Sequence, residues 1–248
     1  MDKKKRGNIE KVRELLASIK HITKQEKLKD DFFDLLFKIH TSRNRVEKYY
    51  MIKKAKSIAR KVPELKDWPK GSIFWDIESG MWEVNIQKEV REFIKKELKK
   101  LLSQSTPSLS LGSGNYPYLK NSVLVDYSKS MIDSAPKEFR KKVLFDLDSK
   151  NKLPFKNNSF KSCTMVFVTN YLKNLDSLFK EIYRILKKSG TFVIVNSADF
   201  TSELYREQEK NHYTAEQLKY LLFKNRFRAK ALKKKLGNFN LVFIIAKK

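Results

Sequence analysis

Leu109-Ser110-Leu111-Gly112-Ser113-Gly114-Asn115 and, a few residues on, Val123-Leu124-Val125-Asp126-Tyr127-Ser128 are two short apolar runs, each ending in residues suited to holding a ligand. Two glycines one residue apart, just past a strand, let the backbone bend sharply and lie close against a bound group. The same pair also closes ordinary turns. A carboxylate at the end of the second run offers two acceptor oxygens spaced for the paired hydroxyls of a ribose. Asp126 equally suits the N-terminus of the helix expected from Lys129 to Ala135, whose dipole an acid complements. The NTPase phosphate loop is excluded, because no Gly-Lys-Ser/Thr follows. A dinucleotide fingerprint needs a third glycine, and Pro117 stands in its place; Asp126 also comes too soon after Gly114 for that motif.

Outward from this stretch, short apolar runs alternate with helical patterns. The expected strands are Leu109–Leu111, Val123–Asp126, Val143–Asp146, Ser162–Val168, Thr191–Asn196, Arg228–Lys233 and Leu241–Ala246. Between them, Leu175–Leu186 reads as a helix, as does Ala215–Phe223 with Thr214 as its cap. The alternation predicts an α/β fold, a doubly wound and mostly parallel seven-stranded sheet. The last two strands flank Gly237-Asn238 without a helix between them, which predicts an antiparallel hairpin. The first crossover is short for a parallel connection, so a full helix is not expected there.

Residues 8–62 read differently. Ile9, Val12, Leu15, Leu16 and Ile19 recur at helical spacing, as do Phe32, Leu35, Leu36 and Ile39, and Val46–Val62 forms a basic helical run. Pro63, Trp68-Pro69 and Gly71 interrupt the pattern before a further amphipathic run from Val84 to Leu102. The expected organisation is therefore a helical N-terminal extension, 1–102, and a sheet domain, 103–248.

Composition narrows the function. The 248 residues hold one cysteine, Cys163, and three scattered histidines, His21, His40 and His212, so neither a disulfide framework nor a zinc cluster is expected. Met1–Glu10 is charged and lacks a signal-peptide core, and the longest apolar run, Leu241–Ala246, is too short to span a bilayer. A soluble cytoplasmic protein without membrane or metal partners is expected. The formal net charge is +26, densest over 201–248 with 12 basic and 4 acidic residues. Such a field attracts polyanions, nucleic acid first and RNA among the possible partners, although a lysine-rich proteome produces the same excess. Lys224–Lys235 carries seven basic residues and no acid. Arg226, Arg228 and Lys230 there form either a phosphate-contacting row or the charge that protects an edge strand.

Leu109–Ala198 resembles, element by element, the class I S-adenosylmethionine-dependent methyltransferases of the type 11 group. Gly112-Ser113-Gly114 is similar to the family's cofactor loop, and Asp126-Tyr127-Ser128 with Met131-Ile132 to its ribose acid and following helix. Phe145-Asp146-Leu147-Asp148 with Leu153-Pro154-Phe155 resembles the segment that brackets the adenine. Ser159-Phe160 and Glu181–Thr191 match the approaches to the fourth and fifth strands. The resemblance implies a Rossmann-like methyltransferase fold and S-adenosyl-L-methionine as cofactor. It further implies cofactor contacts from Leu111, Gly112, Ser113, Gly114, Asp126, Tyr127, Met131, Asp146, Leu147 and Val168. The sequence departs from the family at Ser110, where an acid usually helps to hold the cofactor's amino group, at Lys161 and at Ser189.

Methyl transfer from a sulfonium is an in-line displacement that needs positioning and exclusion of water more than any one catalytic group. No catalytic residue is assigned. Thr169, Asn170 and Tyr171, just past the fourth strand, are the candidates for the acceptor side, where open sheets place ligands; packing is the competing role for Tyr171. Cys163 is expected to be buried in its strand and His212 to be a solvated loop residue. Trp75 and Trp82 either form an aromatic lid or staple the preceding segment to the sheet. The expected function is a methyltransferase acting on a small molecule or a structured RNA. The alternative is a non-catalytic module of the same fold that binds RNA or a protein partner.

Overall fold

The computed structural model describes residues 23–81, 86–102, 105–139, 141–197 and 203–248. The apolar run Ile9–Ile19, His21, Trp82 and the start of the helix expected at Val84 lie outside them. The chain divides into two compact units, 1–73 and 74–248, so residues 74–102 of the expected extension fall in the same unit as the sheet.

In the first unit, helix α1 (23–41) presents Phe32, Leu36 and Ile39 along one buried face, at the spacing its sequence shows. Helix α2 (Arg45–Ala59) starts where the Asn44 side chain accepts the N–H groups of Val46 and Glu47, at 3.0 and 3.3 Å. Phe32 meets Trp68 edge to face, with ring centres 4.9 Å apart.

The second unit opens with the end of α3 (Gly71–Glu78) and with α4 (Lys88–Leu102). Then follow β1 (Ser108–Leu111), β2 (Ser122–Asp126), α5 (Lys129–Ser134), β3 (Lys142–Leu144), β4 (Phe160–Val166), α6 (Leu175–Ile185) and β5 (Leu186–Ser197). The chain ends with α7 (Glu203–Arg206), α8 (Ala215–Lys224), β6 (Arg228–Leu236) and β7 (Phe239–Lys247). The sheet has seven strands in the order β3-β2-β1-β4-β5-β7-β6. All pairs from β3 to β5 are parallel, and β7 runs antiparallel to both β5 and β6. The doubly wound sheet and its final hairpin are therefore present as expected. Gly237 takes a positive φ of 54° in the two-residue turn that makes the hairpin possible. Thr214 caps α8 with a reciprocal capping box to Gln217.

The central strands are buried on both faces, as in a sheet covered on both sides, with Ser108, Ser110, Ser162 and Thr164 on the face opposite the main apolar cluster. Leu109, Leu111, Val125, Cys163, Met165, Phe192 and Ile194 share one buried cluster with Phe179 and Ile182 of α6. Two strands end earlier than expected. β3 stops at Leu144, because the Asp146 carboxylate accepts the Asp148 N–H at 2.9 Å and turns the chain. β4 stops at Val166, because Phe167 takes a positive φ of 58°.

No helix joins β1 to β2. Residues 112–121 retrace the sheet as turns, beginning at Gly112, whose φ is +59°. A Cβ on Gly112 would stand 2.6 Å from Cγ2 of Val168, so both backbone conformation and space demand glycine here. Gly112→Ala is therefore expected to destabilise the fold by about 1–3 kcal/mol. Val168→Ala on the same chain should recover the part due to the clash. Denaturation midpoints of the two single variants and the double variant check both statements.

Candidate functional site

The end of β2 and the turn after β1 are tied together by one carboxylate. Gly114 N–H donates to Oδ2 of Asp126 at 2.9 Å, and Ser128 N–H donates to Oδ1 at 3.0 Å. Ser113 N–H donates to the Val125 carbonyl at 3.0 Å, so successive residues of the turn are pinned to β2. Asp126 is only 8% exposed. Burial raises its carboxyl pKa, with the nearby Asp76 adding to the effect, while the N–H groups of Ser128, Gly114 and Tyr127 oppose it.

Around this carboxylate the structure brings together the residues that the resemblance implied. Leu111 is buried at the end of β1, and Val168 lies against Gly112. Tyr127 is half-buried beside Asp126, close enough to Asp146 for the two charges to raise its phenol pKa after burial has done so. Met131 is buried in the first turn of α5, its N–H bonded to the Ser128 hydroxyl at 3.1 Å. Leu147 shares a buried cluster with Leu111, while Asp146 stays exposed. Arg184 fixes the following segment. Its guanidinium donates to the carbonyls of Leu153 and Phe155 at 3.0 and 2.8 Å, and pairs with Glu181 at 2.7 Å.

The three acceptor-side candidates separate. Thr169 is buried and accepts the Asn196 amide at 2.7 Å, a structural role. Tyr171 meets Trp75 edge to face at 4.8 Å, so packing occupies it. Asn170 alone opens into a cleft of about 660 Å³ at the carboxyl ends of β4 and β5. Asn196, Arg206, Glu209 and His212 also line that cleft, over an apolar floor of Leu218, Val242 and Ile244. Glu209 bridges its wall, accepting from Asn170 at 3.3 Å and pairing with His212 Nδ1 at 3.2 Å. His212 is thus a solvated loop residue with an acid for a neighbour. Cys163 is buried, which pushes its thiol up and leaves it inert.

Sequence reading missed Asp76. Its Oδ1 accepts the Ser128 hydroxyl at 2.6 Å and the Ser130 N–H at 3.2 Å, which joins α3 to the start of α5. Glu78, two residues on, is buried and accepts the Tyr205 hydroxyl. No local pattern announces either contact, since their partners lie far along the chain. Arg226, Arg228 and Lys230 are exposed, the last two on the outer strand β6. Among the described residues no helix is long and apolar enough to cross a membrane, and no group of His, Cys, Asp or Glu is arranged to hold a metal ion.

Comparison with known proteins agrees with this geometry. Residues 108–194 match the family model described as a methyltransferase domain, nearly the stretch on which the resemblance was read. Similar chains include the ubiquinone/menaquinone biosynthesis C-methyltransferase UbiE of Desulfotalea psychrophila, 30% identical over 29% of this chain and 30% of that protein. The demethylmenaquinone methyltransferase of Leptospira interrogans is 27% identical over 55% of each chain. This chain thus spans about half or less of the length of these curated relatives. Among solved structures, a methyltransferase of Thermotoga maritima, described as a possible histamine N-methyltransferase, superposes with a TM-score of 0.56 at 21% identity. That match covers 70% of this chain and 99% of the other. The Haemonchus contortus phosphoethanolamine N-methyltransferase 2, solved with S-adenosylhomocysteine, superposes with a TM-score of 0.51 at 17% identity, covering 63% of this chain and 52% of that one. The fold is that of the class I S-adenosylmethionine-dependent methyltransferases.

The raised pKa of Asp126 has a definite sign. The native state holds this proton more tightly than the unfolded chain, so ligand-free stability falls as pH rises from the ordinary carboxylate value through the native one. A ligand that draws on the ionised carboxylate should bind more tightly over the same window. Denaturation midpoints and affinity for S-adenosylhomocysteine, each followed from about pH 4 to about pH 8, should move in opposite directions. Asp126→Ala should flatten both.

Proposed function

We propose that this chain is an S-adenosylmethionine-dependent methyltransferase acting on a small molecule. The observation that carries the reading is the state of the Asp126 carboxylate. Gly114 N–H donates to one oxygen and Ser128 N–H to the other, with the Tyr127 N–H beside them, and a carboxylate offers about four acceptor positions in all. The acceptor capacity left on this buried, immobilised carboxylate suits the adjacent hydroxyls of a ribose. The cofactor therefore fits the residues present.

In this reading Gly112, Ser113 and Gly114 bring backbone close to the cofactor, with Leu111 and Val168 as apolar walls. Asp126 orients the ribose, Tyr127 and Met131 flank it, and Asp146 and Leu147 bracket the adenine. Bound S-adenosylmethionine supplies an electrophilic methyl group on a sulfonium. The chain's part is to place a nucleophile in line with that methyl and to exclude water.

The acceptor is assigned to the cleft beside Asn170. Its volume of about 660 Å³ falls within the range of small-molecule sites, and its apolar floor and polar wall suit a partly apolar acceptor. Glu209 and His212 lie on that wall and can take up a proton released by the acceptor. Relatives named for quinone methylation support the small-molecule class. RNA has less behind it. Arg228 and Lys230 stand on the outermost strand, away from β1 and β4, where charge also guards an edge. A cytoplasmic location goes with the small-molecule reading.

Calorimetric titration with S-adenosylhomocysteine tests the reading. Wild-type protein is expected to bind with micromolar or tighter affinity. Asp126→Ala should lose about 1.5–3 kcal/mol, roughly 10- to 150-fold. Undetectable wild-type binding at millimolar ligand would favour the non-catalytic module.

A further inference from the structure

Among the described residues, several buried polar atoms without a hydrogen-bond partner gather around the turn after β1. They are Nε and Nη1 of Arg91, Oδ1 of Asn115 and the hydroxyl of Tyr118. Arg91 stands in the first turn of α4 and is 8% exposed. Its guanidinium lies over the Tyr116 ring, 4.9 Å from the centre, two residues past Gly114. An aromatic face compensates part of a cation's desolvation but satisfies none of its N–H groups. Arginine cannot shed its charge, so buried donors left open are costly and call for an anion. Asn115 offers the opposite need. Its Nδ2 donates to the Ser79 carbonyl at 2.8 Å, which fixes the amide orientation and leaves Oδ1 as an open acceptor.

A buried cation with two open donors and a buried acceptor, both adjoining one glycine turn, match the two charged groups of an α-amino acid. We infer that Arg91 binds the carboxylate of the cofactor's methionine moiety and that Asn115 Oδ1 accepts from its ammonium. This rests on the cofactor reading above and adds to it the residues that recognise the amino-acid end. Tyr116 acts as a positioning residue. Its hydroxyl donates to Glu92 at 2.7 Å, so its ring is held against the guanidinium from the same helix.

Two probes separate this role from a structural one. S-Adenosylhomocysteine carries the amino-acid group, and 5′-methylthioadenosine has the same adenine, ribose and thioether without it. By calorimetry, Arg91→Met should weaken S-adenosylhomocysteine at least tenfold and leave 5′-methylthioadenosine within twofold of wild type. Asn115→Ala should show the same pattern with a smaller loss. Arg91→Lys, which keeps the charge but loses the fork, provides the comparison should the Met variant not fold; an intermediate loss confined to S-adenosylhomocysteine supports the assignment. Equal weakening of both probes, or unchanged S-adenosylhomocysteine affinity, would overturn it while leaving the cofactor reading intact. Wild-type protein that binds neither probe would overturn both.

Discussion

Two neighbouring parallel strands have to be joined by chain that travels back along the sheet, and between Leu111 and Ser122 this protein does so without a helix. The distance is modest. A strand the length of β1 rises roughly 13 Å, and a segment the length of 112–121 can reach more than twice that. What is lost is the hydrogen-bonded regularity that would otherwise hold the first turn in place. The Asp126 carboxylate supplies it instead, by accepting from Gly114 on one oxygen and from Ser128 on the other. A buried carboxylate carries a desolvation cost, visible in its raised pKa, and the backbone donors offset part of it. The turn, the end of β2 and the start of α5 thereby become one rigid edge facing whatever binds there.

The segment before the sheet completes that edge. Asp76 reaches Ser128 and Ser130, the Ser79 carbonyl receives Asn115, and Arg91 and Glu92 engage Tyr116. Tyr116 and Tyr118, edge to face at 5.2 Å, put aromatic bulk into a connection that has no helix of its own. Farther along α4, Glu97 pairs with Lys234 of β6 at 3.5 Å. Residues 74–102 therefore belong with the sheet both by their contacts and by what they add to the site.

Much of the sheet was legible because its signals are local. Apolar runs of strand length, Thr214 before an amphipathic stretch and Gly237-Asn238 between two strands each dictate their own conformation. The place of Asp126 at a strand end was legible for the same reason, but its tie to the Gly114 turn was not. Nor were contacts across the chain. Asp76 lies in a short, ordinary helical stretch, and its importance appears only when α3 is brought against Ser128. Asn170 could not be told from Thr169 and Tyr171 by sequence, since all three follow β4; burial and the Trp75 ring separate them. The apolar pattern of α4 ended at the same place as the expected extension, so nothing in it showed that the helix packs with the sheet.

One edge, built on Asp126, is proposed to receive the cofactor. Hydrogen exchange of the backbone amides, compared with and without saturating S-adenosylhomocysteine, tests it most directly. Protection is expected to rise at 111–116 and 126–131, where Gly114 and Ser128 donate to that carboxylate, and to stay unchanged along β6 and β7. Protection that leaves these two segments untouched while ligand is bound would contradict it.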